Sequence, residues 1–230
     1  MIEAYFKSGI RFLWNKPNDS MGATNGSIVA SQGVANRMTY DGLDGHRAII
    51  DPRLLLIQAS NVLGIRKGAI IPHAWLDYAP GRTARLPIGG NDILSGYMSG
   101  CLIVRGTYNQ TPSLFHVGTI VNNVAVNKAV KSTFARELPA DATGFSPSAA
   151  WQRGEMAAAQ TKLEGAAGTA QIFALVTRAG AFYSLMMIPV SEGGKWANPA
   201  GQKYWCVGGI KPVVPLTRTK LLAALLDWKA

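Results

Sequence analysis

Two cysteines and three histidines are the only thiols and imidazoles in this chain. Cys101 lies in Leu94-Ser95-Gly96-Tyr97-Met98-Ser99-Gly100-Cys101-Leu102-Ile103-Val104. A small, flexible residue before a cysteine lets another molecule approach the sulfur closely. Leu102-Ile103-Val104 reads as strand, which would hold that sulfur at the edge of a rigid element. His116 follows 116 − 101 = 15 residues later, in Leu114-Phe115-His116-Val117-Gly118-Thr119. One strand, a turn near Asn109–Pro112 and a return strand would bring His116 beside Cys101. A nucleophilic thiol needs such a neighbour, because the imidazole takes its proton and stabilises the thiolate. The same residues also admit a plainer reading. A cysteine in an apolar strand is usually a small core hydrophobe, and a lone histidine a satisfied structural residue. Both readings stand at this point.

The other candidates read as structural. Cys206, between Trp205 and Val207, packs in a strand; a Cys101–Cys206 disulfide is disfavoured for a chain made in a cytosol. His73 follows Pro72 and reads as structural, with a lesser alternative as a substrate contact; His46 reads as exposed. Nothing in the spacing of Asp77 or Asp92 demands that either orient a histidine. Dispersed histidines and distant cysteines make no metal-ligand spacing, so no metal is expected. No glycine-rich phosphate loop follows a strand in the required pattern, and no organic cofactor is expected.

The elements that must position Cys101 and His116 are mostly strands. Apolar runs at Arg47–Ile57 (split by Pro52), Ala69–Tyr78, Leu102–Gly106, Ser113–Val126 and Lys203–Pro215 read as β-structure. Ala170–Thr177 and Phe182–Val190, joined by a short glycine-containing loop, read as a hairpin. Two helices are predicted: Ser148–Gly165, behind a Ser146 cap and Pro147, and Thr217–Trp228, with Leu221, Leu222, Leu225 and Leu226 on one face. Ile2–Leu13 is ambiguous between helix and strand. Asn15–Gly45, Pro80–Asp92 and Pro139–Pro147 read as irregular connectors. None separates two independently hydrophobic halves. The expectation is therefore one α+β domain over residues 1–230, a β-sandwich or mixed-sheet core flanked by helices.

Composition narrows the class. With 48% hydrophobic residues the chain is not disordered, and 25 glycines and 12 prolines exclude a long coiled coil. The net charge of +10 admits nucleic acid, an anionic membrane or an acidic protein as partner. The cations are scattered (Arg11, Lys16, Arg47, Arg66, Lys67, Arg82, Arg85, Lys128, Lys131), with no run of five and no aromatic-plus-basic stripe. Nucleic-acid binding is therefore not expected. No apolar stretch is long enough to span a bilayer, and Met1–Trp14, with Glu3 and Lys7 inside it, is not a signal peptide. The expectation is a monomer made in a cytosol; if exported, it leaves by a route without a cleavable signal.

Ser99-Gly100-Cys101, a strand, and then a histidine on the next strand together resemble the Cys-His glutamine deamidases. That superfamily includes the catalytic domain of cytotoxic necrotizing factor, Burkholderia lethal factor and the chemotaxis receptor glutamine deamidase. Its toxins carry Leu-Ser-Gly-Cys, where this chain has Met98 for the leucine. The residues after the toxin histidine are small or hydroxylic, similar to Val117-Gly118-Thr119. Members whose third group is a side chain have a threonine six residues before the cysteine, where this chain keeps the hydroxyl as Ser95. Val207-Gly208-Gly209-Ile210 is similar to a strand near the C-terminus of Burkholderia lethal factor. The resemblance is specific over Leu94–Thr119 and faint elsewhere. It implies an α/β sandwich core, a target protein as substrate, and conversion of its glutamine to glutamate with release of ammonia. Cys101 would be the nucleophile, His116 the base and acid, and Ser95 the orienter of the ring. Backbone N–H groups around Ser99, Gly100 and Cys101 would receive the oxyanion. Such a chain would act as a toxin or effector. The rivals are a papain-like protease or transglutaminase, whose cysteine normally opens a helix, and a non-enzymatic β-rich binding module.

Overall fold

The computed structural model describes residues 2–19, 22–43, 67–163, 166–195 and 197–227. His46 and the strand expected at Arg47–Ile57 lie outside them. The described residues form one α+β domain of two sheets, with three α-helices among them.

The first sheet closes into a barrel in the order β1-β12-β11-β10-β6-β4-β3, with β3 returning to β1. Its strands are β1 (Ile10–Trp14), β3 (Ala35–Leu43), β4 (Ile70–Leu76), β6 (Ile93–Gly96), β10 (Gln171–Val176), β11 (Phe182–Val190) and β12 (Lys203–Val213). All its pairings are antiparallel except β4 with β6. The second sheet runs β2-β5-β8-β7-β9, from β2 (Ile28–Ala30), β5 (Thr83–Pro87), β7 (Leu102–Tyr108), β8 (Thr111–Val117) and β9 (Thr143–Phe145).

Alternation along the strands divides the core into layers. Phe12, Trp14, Trp75, Leu94, Phe173 and Trp205 pack together as one apolar cluster contributed by barrel strands. Leu76, Ile93, Met98, Cys101, Ile103, Leu114 and Val176 form a second cluster, shared by the barrel and the second sheet. Val104, Phe115 and Val117 alternate to the other face of the second sheet. There they meet Val130 and Phe134 of α1 (Val124–Arg136) and Leu221 and Leu225 of α3 (Arg218–Leu226). The helix α2 (Arg153–Thr161) packs against β12.

Several elements depart from the sequence reading. Ser113–Val126 is not all strand. β8 stops at Val117, Asn122 takes a left-handed φ of 60°, and the Asn123 side chain caps α1 by accepting from the Val126 amide at 3.1 Å. The apolar valines after that cap therefore belong to a helix. The expected helix Ser148–Gly165 breaks into a 3₁₀ turn (Pro147–Ala150) and α2, because Trp151 is drawn onto the barrel. Its indole donates to Ser184 Oγ at 2.7 Å and lies under the Lys211 ammonium. Ser146 makes no side-chain cap; Gln152 and Glu155 form the capping box instead. The three connectors hold strands: β2 and β3 in the first, β5 in the second, β9 in the third. The N-terminal segment divides into a 3₁₀ turn, Ile2–Tyr5, and β1. The hairpin of β10 and β11 forms as expected, and α3 buries Leu221 and Leu225 but leaves Leu226 exposed.

Candidate active site

The segment from Ser95 to Cys101 passes from one sheet to the other. Ser95 sits in β6 of the barrel, registered against Leu76 of β4 and Ala174 of β10. At Gly96 the backbone takes φ 147°, and an added Cβ would meet the Phe173 ring at 2.8 Å, so a side chain does not fit. Cys101 immediately precedes β7 in the second sheet.

His116 is held on both sides within the second sheet, opposite Ala84 of β5 and Ile103 of β7. Directly opposed residues share a face, and so do residues two apart in a strand. Cys101 stands two before Ile103, which makes it the diagonal neighbour of His116 on the face turned to the barrel. The hairpin that sets this register is tight, with Asn109 and Gln110 both at positive φ, 47° and 62°. Leu102 pairs with Val117 at the site end of the ladder.

The Ser95 hydroxyl lies 2.8 Å from His116 Nδ1 and donates to the Leu76 carbonyl oxygen, also at 2.8 Å. A hydroxyl has one proton, and a carbonyl can only accept. With that proton given to Leu76, Ser95 accepts from His116 Nδ1–H. The ring then carries its lone pair on Nε2, which is buried without a hydrogen-bond partner among the described residues. Burial depresses His116 to about 3, so the ring is neutral at pH 7.

Cys101 is free and 2% exposed. Burial pushes its thiol up, while hydrogen bonding from Thr119 and from the Gly100 and Ser99 backbone pulls it the other way. Thr119 Oγ1 stands 3.5 Å from the sulfur. At rest the two groups are thus a neutral thiol and a neutral imidazole, and no hydrogen bond joins them: the sulfur's partners are the Thr119 hydroxyl and carbonyl oxygens, and Nε2 has none among the described residues. Gly100 lies against Thr119 as well: a Cβ there would meet Thr119 Oγ1 at 3.3 Å.

Two contributors were not found from sequence. The Tyr78 ring lies 5.2 Å from the His116 ring at 32°, and its hydroxyl donates to the Thr119 carbonyl oxygen at 2.7 Å. Burial raises the Tyr78 phenol, and the neighbouring Cys101 raises it further. Tyr78 thus touches both the imidazole and the residue that hydrogen-bonds the thiol. The other contributor is the Leu76 carbonyl, a backbone group with no sequence signature.

The remaining candidates lie apart from this arrangement. Cys206 is fully buried on β12, its thiol donating to the Val207 carbonyl oxygen at 3.8 Å. His73 contacts the Trp14 ring, holds Nδ1 3.3 Å from its Ile71 carbonyl, and is lowered by burial to about 4. Asp77 accepts from Ser31 Oγ and the Gln32 amide, and Asp92 from the Arg178 amide. Among the described residues no cluster of three or more His, Cys, Asp or Glu side chains could hold a metal ion. No helix among them is long and apolar enough to cross a membrane. Comparison with protein-family models, with curated proteins and with solved structures finds no match to this chain.

Proposed function

We propose that this chain is a cysteine-dependent protein glutamine deamidase, acting as a bacterial toxin or effector on another protein. The observation that carries the proposal is the Ser95 hydroxyl bridging Leu76 and His116, which leaves Nε2 of a neutral ring as the free base. A ring serving only as core filler gains nothing from a fixed tautomer whose second nitrogen has no partner, since an orphaned buried polar atom is destabilising.

The chemistry follows from the groups present. His116 Nε2 takes the Cys101 proton as the sulfur attacks the carboxamide carbon of a glutamine. The C=O pair moves to oxygen, and backbone N–H groups of Ser99, Gly100 and Cys101 would receive that developing charge. Collapse of the tetrahedral species expels ammonia, which leaves with the proton held by His116. A thioester remains. Water then gives a proton to Nε2 and attacks the thioester; collapse releases glutamate and returns the proton to sulfur. Ser95 holds the ring through Nδ1 in both halves. No step calls for a metal or an organic cofactor. The strand after Cys101 argues against a papain-like protease or transglutaminase.

Burial of Cys101 and His116 favours the second reading, in which both are core residues of a binding module. Iodoacetamide separates the two, since a working thiol labels quickly and a core sulfur stays inert. The function itself is tested by intact mass spectrometry of candidate proteins after incubation. Amide-to-acid conversion at one glutamine supports the proposal, and unchanged masses across the panel oppose it.

A further inference from the structure

The cavity bordered by Ser99 and Gly100 has a volume of about 180 Å³ and is also walled by Thr119, Asn127 and Lys131. Lys131 is unusual for its type, at only 6% exposed. Lysine is almost never fully buried without a partner, because its ammonium loses water that only an anion or several acceptors replace. Here Nζ donates to the Asp227 carbonyl oxygen at 3.3 Å, one long hydrogen bond for a group with three N–H donors. None of the ion pairs among the described residues includes Lys131. Asn127, one turn earlier on α1, makes no hydrogen bond to Lys131. Its side chain is spent on Ile120, accepting from the amide at 2.7 Å and donating to the carbonyl at 2.9 Å. One cavity therefore carries Ser99 and Gly100 of the Cys101 loop on one wall and Lys131, whose ammonium has a single hydrogen bond, on another.

We propose that Lys131 makes this cavity a subsite for a carboxylate of the substrate. The inference rests on the deamidase reading of Cys101 and deepens it. The preferred glutamine either stands beside an acidic side chain or carries its own terminal carboxylate. A net charge of +10 favours the same class of acidic partner over long range.

Three electrophiles of one size class test this: chloroacetylglycinamide (neutral), chloroacetylglycine (terminal carboxylate) and the α-amide of chloroacetylaspartate (side-chain carboxylate). Alkylation of Cys101 is followed by peptide mapping and scaled to each probe's rate with N-acetylcysteine. At least one acidic probe is expected to outpace the neutral one by about tenfold, as for a hydrogen bond to a buried charge. The advantage should vanish in Lys131→Met and Lys131→Gln, and shrink with added salt in the unmodified protein. The faster acidic probe identifies the source of the carboxylate. Scaled rates that are equal for all three probes, or an advantage that survives in a folded Lys131 variant, overturn the subsite. If the variants fail to fold, an advantage indifferent to salt does the same. Cys101 inert to all three while intact protein persists overturns the deamidase reading itself, and the subsite with it.

Discussion

Ser95 Oγ and His116 Nδ1 lie 2.8 Å apart although the two residues belong to different sheets. This one hydrogen bond ties the barrel to the second sheet at the point where Cys101 enters it. Its direction is fixed by the Leu76 carbonyl, which takes the only proton Ser95 has. In the proposed chemistry Ser95 is thereby a positioning residue rather than a chemical one.

Ser95→Ala should lower turnover about 10-fold to 100-fold while leaving Cys101 able to react with small electrophiles. It removes the acceptor for Nδ1–H and strands the Leu76 carbonyl, costing about 1–3 kcal/mol of stability as well. Ser95→Thr keeps the oxygen and should restore most of the turnover. Denaturant melts together with an ammonia-release assay separate the two effects. Turnover unchanged in the alanine variant removes Ser95 from the site.

His116→Ala should slow alkylation of Cys101 near neutral pH. Without the base, the thiol must ionise on its own, and burial already holds it above its ordinary value of about 8.5. Alkylation rates across pH, for both proteins, give the comparison. Superimposable profiles contradict the pairing.

Tyr78→Phe keeps the ring against His116 but releases the Thr119 carbonyl. Loss of one such hydrogen bond is worth about 1 kcal/mol, so activity should fall about fivefold with the melting temperature little changed. Tyr78→Leu, which loses the ring as well, should cost more. Equal activity in all three proteins would show that Tyr78 only fills space.

Stability should fall with acidification before the carboxylates titrate. His116 and His73 are held by burial at about 3 and about 4, below the unfolded value of about 6.5. Between those limits the unfolded chain binds protons that the folded chain refuses, so acid favours unfolding. The expected slope is about 1.4 kcal/mol per pH unit per histidine below about pH 6.5, with no contribution from these two above it. Urea titrations from about pH 7 to about pH 5 measure it, and His116→Gln should remove about half. A flat profile over that window contradicts the burial of neutral rings.

The hairpin carrying Cys101 and His116 was legible because two apolar runs flank a short polar turn, and strand alternation then fixes which residues share a face. The crossing from Ser95 to Cys101 was not. Only β7 reads as a strand there; β6 is four residues long beside Gly89, Gly90 and Asp92, and nothing in its pattern says that it pairs in a different sheet. Helix α1 was hidden because Val124, Val126 and Val130 suit a strand as readily, and the deciding feature is the Asn123 cap. β5 was hidden among Pro80, Gly81, Pro87 and Gly89, residues that usually mark loops. Tyr78 and Lys131 reach the site through tertiary packing, for which neither spacing nor composition gives a signal.

The central claim is that Cys101 hydrolyses a glutamine amide, and heavy-oxygen water tests it most directly. Candidate target proteins are incubated in that water with the protein or with Cys101→Ala, and glutamine-containing peptides are then mapped. The account predicts a glutamate at one former glutamine, carrying a single heavy oxygen, with ammonia released in equal amount. Neither product should form with Cys101→Ala, whose stability should differ by only about 1 kcal/mol. The same labelled glutamate appearing with a folded Cys101→Ala variant would contradict it.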